Sequence, residues 1–219
     1  MSIIQTLVLF TRINLMQDLF LLCGVGTPQG NDLLQKIIGP DYVQIAYKTA
    51  RQANPDAFLI FNETDNHGPE GKYVQNTATI GNDLYSKGLI DAIGVQGHLA
   101  YGDDGSPYAA PTAAQIFQTL NLYKAPIILT EVDANLQGVT KNREATQIEW
   151  YTRLIGAAQK TGRLKGIFFF GGFPDHNSWY ELAQHIQNAD PTLWNDTGNP
   201  KSAFYEVIKT LLSNIPQRK

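Results

Sequence analysis

The sequence predicts an α/β fold of the (β/α)8 TIM-barrel type, truncated to about half of its strands. Three observations lead there. From Pro40 onward, short apolar runs alternate with longer amphipathic stretches, the order of parallel strands joined by helical crossovers. The apolar runs are continuous rather than alternating, as in strands covered on both faces. Each run ends in polar residues, and in a barrel the carboxyl ends of the strands form the functional face.

The elements follow in order. Residues 41–53 set Tyr42, Ile45, Ala46 and Ala50 at helical spacing, and Asn54-Pro55-Asp56 ends that helix, because proline has no amide hydrogen to give. Ala57 to Phe61 is a short apolar strand. Residues 72–87 read as a second amphipathic helix, followed by a strand from Ile90 to Val95. Pro111-Thr112 opens a helix over 111–123, and a strand runs from Pro126 to Leu129. There the apolar run Ile127-Ile128-Leu129 gives way to Thr130-Glu131-Val132-Asp133, so the two carboxylates mark where the backbone leaves the sheet. Residues 144–161 make a fourth helix, Gly166 to Phe170 a fourth strand, and Asn199-Pro200 opens a last helix to about residue 213. Four strands are half of a barrel, and residues 1–39 are too few for the other half.

Composition bounds the function. With 219 residues, 43% hydrophobic and 17% charged, the chain is an ordinary globular one. A net charge of −3 without a Lys/Arg cluster argues against a nucleic-acid partner. The 10 Tyr, 10 Phe and 3 Trp suit sugar stacking and equally suit a core. The single Cys23 can form no internal disulfide. Residues 3–22 are apolar but interrupted by Arg12 and Asp18, which suits neither a membrane span nor a secretory signal. His67, His98, His176 and His185 show no ligand spacing, so no metal and no cofactor is expected.

The strand ends carry the candidate chemistry. They bring Asn62-Glu63-Thr64-Asp65-Asn66, Gln96-Gly97-His98, Glu131 with Asp133, and a loop holding Asp175, His176 and Trp179. Adjacent strands lie only about 4.8 Å apart, so these groups converge. A carboxylate beside a histidine that is backed by a second acid is a means of keeping a nucleophile ionised. Asp175, His176 and His67 read as loop residues instead.

The segments Gly88-Leu-Ile-Asp-Ala-Ile-Gly-Val-Gln-Gly-His-Leu99 and Ile127-Ile-Leu-Thr-Glu-Val-Asp133 closely resemble the endo-β-1,4-xylanases of glycoside hydrolase family ten. Gly39-Pro-Asp-Tyr-Val-Gln-Ile-Ala-Tyr47, Asn54-Pro-Asp-Ala-Phe-Leu-Ile-Phe-Asn62, Asp175 with Ser178-Trp179, and Asn199-Pro-Lys-Ser-Ala-Phe204 extend the resemblance in the family's order. It implies that these segments are about strands five to eight of the family's (β/α)8 barrel, and it divides the chain into an unmatched segment, 1–30, and a partial catalytic domain, 31–219. It implies a retaining glycosidase acting on xylan or xylo-oligosaccharides. By position, Glu131 matches the nucleophile, His98 the histidine that bonds it, and Asp133 the acid supporting that histidine. Gln96 and Asn62 match residues near the bound sugar. Trp179 matches an aromatic wall of the sugar site, and Phe170 stands where the family usually has a tryptophan. The resemblance also implies a secreted protein, although no convincing signal peptide is present.

One departure is chemical. The family places its general acid/base in an Asn-Glu dipeptide at the end of strand four, upstream of the segment matching Gly39 to Tyr47. Here the first glutamate is Glu63, and Asn62-Glu63 falls one strand too late. Three readings stay open: a glycosidase fragment lacking its acid/base, a non-catalytic carbohydrate-binding remnant, and an α/β domain related by ancestry alone. A half barrel also leaves two sheet edges unpaired, so self-association through them is expected.

Overall fold

Five parallel strands follow one another across one sheet in chain order. They are β1 (Leu19–Leu22), β2 (Phe58–Glu63), β3 (Ala92–Ala100), β4 (Ile127–Asn135) and β5 (Leu164–Phe169). Helices α1 (Leu33–Ile38) and α2 (Tyr42–Ala53) lie between β1 and β2 in the chain. α3 (Val74–Ser86), α4 (Ala113–Leu120) and α5 (Arg143–Lys160) separate the next strands, and α6 (Ser202–Ser213) closes the order. The computed structural model describes residues 19–22, 33–100, 111–171 and 173–213.

Two differences from the sequence reading bear on the site. Leu19–Leu22, within the segment left unmatched, form β1 in parallel register with β2, Leu19 beside Phe58 and Leu22 beside Phe61. Four apolar residues inside a longer apolar run carry no period that separates strand from helix. The second difference corrects the reading of the strand ends. Glu131 and Asp133 do not mark the exit from the sheet, because β4 runs on to Asn135, and His98 likewise lies inside β3. Polar residues stay in a strand when the neighbouring strand continues beside them, and β3 and β4 pair as far as Ala100 and Asn135.

The main core lies between the sheet and the helices. Leu59, Phe61, Ile93, Val95, Ile127, Leu129, Val132 and Ile167 pack there with Tyr47, Leu84, Leu120, Tyr151, Leu154 and Ile155. Full burial of each such aliphatic side chain is worth roughly 1.5–3 kcal/mol. The opposite face carries a small cluster of Ile60, Ala92 and Ile128, flanked by Phe58 and Phe168.

The amino-terminal end of the sheet is held by polar contacts with no catalytic character. The Asp91 carboxylate accepts the Leu59 amide at 2.7 Å and the Arg51 guanidinium at 2.6 Å. Arg51 also donates to the Ala57 carbonyl at 2.7 Å, and the buried Tyr47 hydroxyl donates to Ile60 O at 2.6 Å. At the other end, a mostly buried ion pair of 2.6 Å joins Lys201 to Asp175. Asp175 also accepts the Thr192 amide and hydroxyl, pinning the loop after β5 to the segment that leads into α6. His176, on the same loop, pairs with the exposed Asp196 at 3.0 Å.

Candidate active site

The site is built around one extra residue in β4. Val95 lies beside Leu129 in the ladder, but the next residue, Gln96, lies beside Glu131. Thr130 is therefore a bulge, a feature that redirects the side chains following it. Leu129 and Val132 both enter the main core although three positions apart. Thr130 and Glu131 correspondingly reach the same neighbour on the opposite face: the Thr130 hydroxyl donates to Asn62 Oδ1, and Asn62 Nδ2 donates to Glu131 Oε1 at 3.1 Å.

The approach of Asn62 depends on a glycine. A Cβ at Gly94 would stand 2.5 Å from Asn62 Oδ1 and 3.0 Å from its Cα. No larger residue fits without displacing the asparagine.

His98 lies between two carboxylates. Its Nε2 is 3.4 Å from Glu131 Oε2 and its Nδ1 is 3.1 Å from Asp133 Oδ1. Burial alone would lower the imidazole pKa, but hydrogen bonds to Asp133 and Glu131, and their charges, outweigh it and push the group up to about 10. At neutral pH the ring is thus an imidazolium with both N–H groups donating. Asp133 is buried, and burial pushes its carboxyl up while the His98 hydrogen bond and charge and the Tyr180 hydroxyl oppose that. Phe170 meets the imidazole edge-to-face, ring centroids 5.0 Å apart. Gln96 stands beside Glu131 in the ladder and is buried.

Trp179 opens a π-helical turn, Trp179–Ala183, and is 47% exposed. The turn is joined to β4 beside Glu131 by the next residue, because the Tyr180 hydroxyl donates to Asp133 Oδ1 at 3.4 Å. His67 sets its Nδ1 3.3 Å from the Gln96 carbonyl, and burial lowers its pKa. A carbonyl only accepts, so Nδ1 carries the proton and Nε2 is left as an acceptor. Thr130 and Tyr180 are the two contributors that sequence reasoning missed. The first needs the register of a bulge and the second a partner 47 residues away, and neither leaves a local signal.

Glu63 does not share this face. Its neighbour Asn62 points toward Glu131, and successive strand residues point to opposite sides. Glu63 is buried, its Oε1 accepts the Thr64 amide, and its charge acts on Tyr123, a main-core residue. Among the described residues no group of three His, Cys, Asp or Glu side chains could hold a metal ion, and no helix is long and apolar enough to cross a membrane.

The sequence model of glycosyl hydrolase family 10 matches residues 27–210. The chain belongs to this family. Endo-1,4-beta-xylanase A of Thermotoga maritima is 29% identical over 185 residues, which are 79% of this chain and 16% of that protein. The endo-1,4-beta-xylanase of Geobacillus stearothermophilus is 27% identical over 183 residues, 80% of this chain and 54% of that protein. The chain thus spans between about a sixth and about half of these two curated relatives. Native xylanase 10B from Thermotoga maritima superposes with a TM-score of 0.74 at 24% identity, over 92% of this chain and 62% of that one. Xylanase 10B from Thermotoga petrophila, solved with xylobiose, superposes with a TM-score of 0.71 over 88% of this chain and 58% of that one. The sheet described above is accordingly part of a family 10 (β/α)8 barrel.

Proposed function

We propose that this chain carries the nucleophile side of a retaining β-1,4-xylanase site, with Glu131 as the attacking carboxylate. One observation supports the reading above all: each oxygen of Glu131 has its own donor, Asn62 Nδ2 on Oε1 and His98 Nε2 on Oε2. Two donors of fixed direction, one of them cationic, hold both carboxylate oxygens in a set orientation for attack. Family membership supports glycosidase chemistry, and the names of the relatives and the xylobiose complex of one structural neighbour support xylan or xylo-oligosaccharide as substrate.

In this mechanism Glu131 forms a bond to the anomeric carbon as the bond to the departing oxygen breaks. Water then attacks the same carbon and releases the carboxylate. Asp133 orients His98, Trp179 offers its face to a pyranose, and Gln96, Asn62 and Phe170 line the sugar's approach. The departing oxygen keeps the electron pair and needs a proton, and such donation is typically worth about 10²–10⁴-fold. Glu63, on the far face, is not its source. Turnover on xylan is therefore expected to be negligible, with activity appearing on aryl β-xylobiosides whose phenolate leaves unassisted. A second reading, sugar binding without turnover, is favoured by that same position of Glu63 and by the half-exposed Trp179.

An activated 2-deoxy-2-fluoro xylobioside separates the two, because it esterifies the nucleophile without acid help. A glycosylated peptide containing Glu131, with aryl xylobioside release lost in Glu131→Ala, supports the catalytic reading. Saturable xylobiose binding with no labelling supports the binding one, and release that survives Glu131→Ala refutes the nucleophile assignment.

A further inference from the structure

Asp133 is the most enclosed acid of the site, its side chain 1% exposed, and its two oxygens are treated unequally. Oδ1 takes both donors, His98 Nδ1 at 3.1 Å and the Tyr180 hydroxyl at 3.4 Å. Oδ2 is buried with no hydrogen-bond partner among the described residues. It faces Gly171, where even an added Cβ would stand 4.0 Å away. The titratable groups around this carboxylate are His98 on β3, Glu131 on β4, Tyr151 on α5 and Tyr180 on the turn after β5. Of these, only His98 and Tyr180 bond it. Among the described residues Tyr180 is thus the sole neutral donor on this buried carboxylate, and it competes with the imidazolium for one oxygen.

We propose that Tyr180 is a positioning residue for the nucleophile: its hydroxyl shares Asp133 Oδ1 with His98 and so sets how tightly Asp133 holds the imidazolium that faces Glu131. The role rests on the function proposed above only in naming Glu131 the nucleophile; the bond itself exists without substrate. The hydroxyl draws electron density from Oδ1 and loosens the grip of Asp133 on His98, leaving the imidazolium more able to bond Glu131. Because Tyr180 directly follows Trp179, the same hydroxyl ties the turn bearing the exposed indole to the nucleophile. Gly171, at φ +99°, allows that turn to come close, with the Trp179 amide nitrogen only 3.4 Å from where a Cβ would be.

Tyr180→Phe removes the oxygen and keeps the ring, so a residue that merely fills space would not respond. The measurement is the NMR titration of the four imidazoles in the full chain, with His98 assigned through His98→Gln and the exposed His176 as internal control. Removing one of two donors leaves the buried carboxylate more dependent on the other. The His98 midpoint is therefore expected to rise by roughly 0.5–1 pH unit while that of His176 stays in place. An unchanged or lowered His98 midpoint in a folded variant overturns the proposal. The converse experiment needs no change at Tyr180. In Asp133→Asn the Tyr180 phenol, which burial and Asp133 push up in the wild-type chain, is expected to titrate lower, and an unchanged phenol overturns the proposal as well. Neither readout uses turnover, so failure of the nucleophile assignment would show separately, in the Glu131 labelling.

Discussion

Raising the pH from about 6 to about 10 is expected to weaken the wild-type chain more than the His98→Gln variant, and the difference between them reports the charge on His98 together with its coupling to Asp133. The folded-state pKa of His98 is about 10, above the ordinary 6.5, through its bonds to Asp133 and Glu131. A group whose pKa is raised by folding contributes its full stabilisation below the unfolded value and loses it as the pH climbs to the folded one. The window therefore opens near 6.5 and closes near 10. At about 1.4 kcal/mol per pH unit, that interval amounts to at most about 5 kcal/mol. The imidazole side chain is 27% exposed, so it is partly screened by solvent, and a measured change of about 2–4 kcal/mol is expected. His67, whose pKa is lowered by burial, titrates on the acid side of 6.5, so its contribution is constant across the window. Urea unfolding followed by tryptophan fluorescence at several pH values gives the two curves. A wild-type minus variant difference that stays constant within about 0.5 kcal/mol across the window refutes the claim that His98 is held as an imidazolium.

Three further outcomes follow from the geometry. Gly94→Ala forces a Cβ to within 2.5 Å of Asn62 Oδ1; a loss of roughly 1–3 kcal/mol in denaturant unfolding is expected, together with reduced labelling of Glu131 by the fluoro-xylobioside, and an unchanged stability would mean the strand yields freely. Trp179→Ala is expected to weaken xylobiose binding in calorimetry by about tenfold, through loss of a stacking face worth roughly 1–1.5 kcal/mol, with the melting temperature nearly unchanged because the indole is 47% exposed. Self-association is expected from the two outer strands: β1 and β5 each have one strand neighbour among the described residues, and unpaired edges invite pairing with another chain. Sedimentation showing a monodisperse monomer at all concentrations would exclude it.

The alternation of strands and helices from residue 41 onward, the family, and the residue types at the candidate site can all be read along the chain without its fold. These were legible because they are local. Helical spacing over 41–53 and 144–161, and the apolar run at 127–129, record burial on a helix face or within a sheet without reference to distant residues. The site's geometry belongs to the tertiary structure alone. Whether Glu131 faces Asn62 or the main core depends on Thr130 being an extra residue opposite β3, and a register shift of one residue reverses every side chain after it. The same alternation turns Glu63 away from Glu131 while its neighbour Asn62 bonds it. β1 is a strand because β2 lies beside it, and Tyr180 matters because folding carries it across 47 residues to Asp133. A sequence records which faces must be buried, and only the ladder between strands decides which side chains then meet.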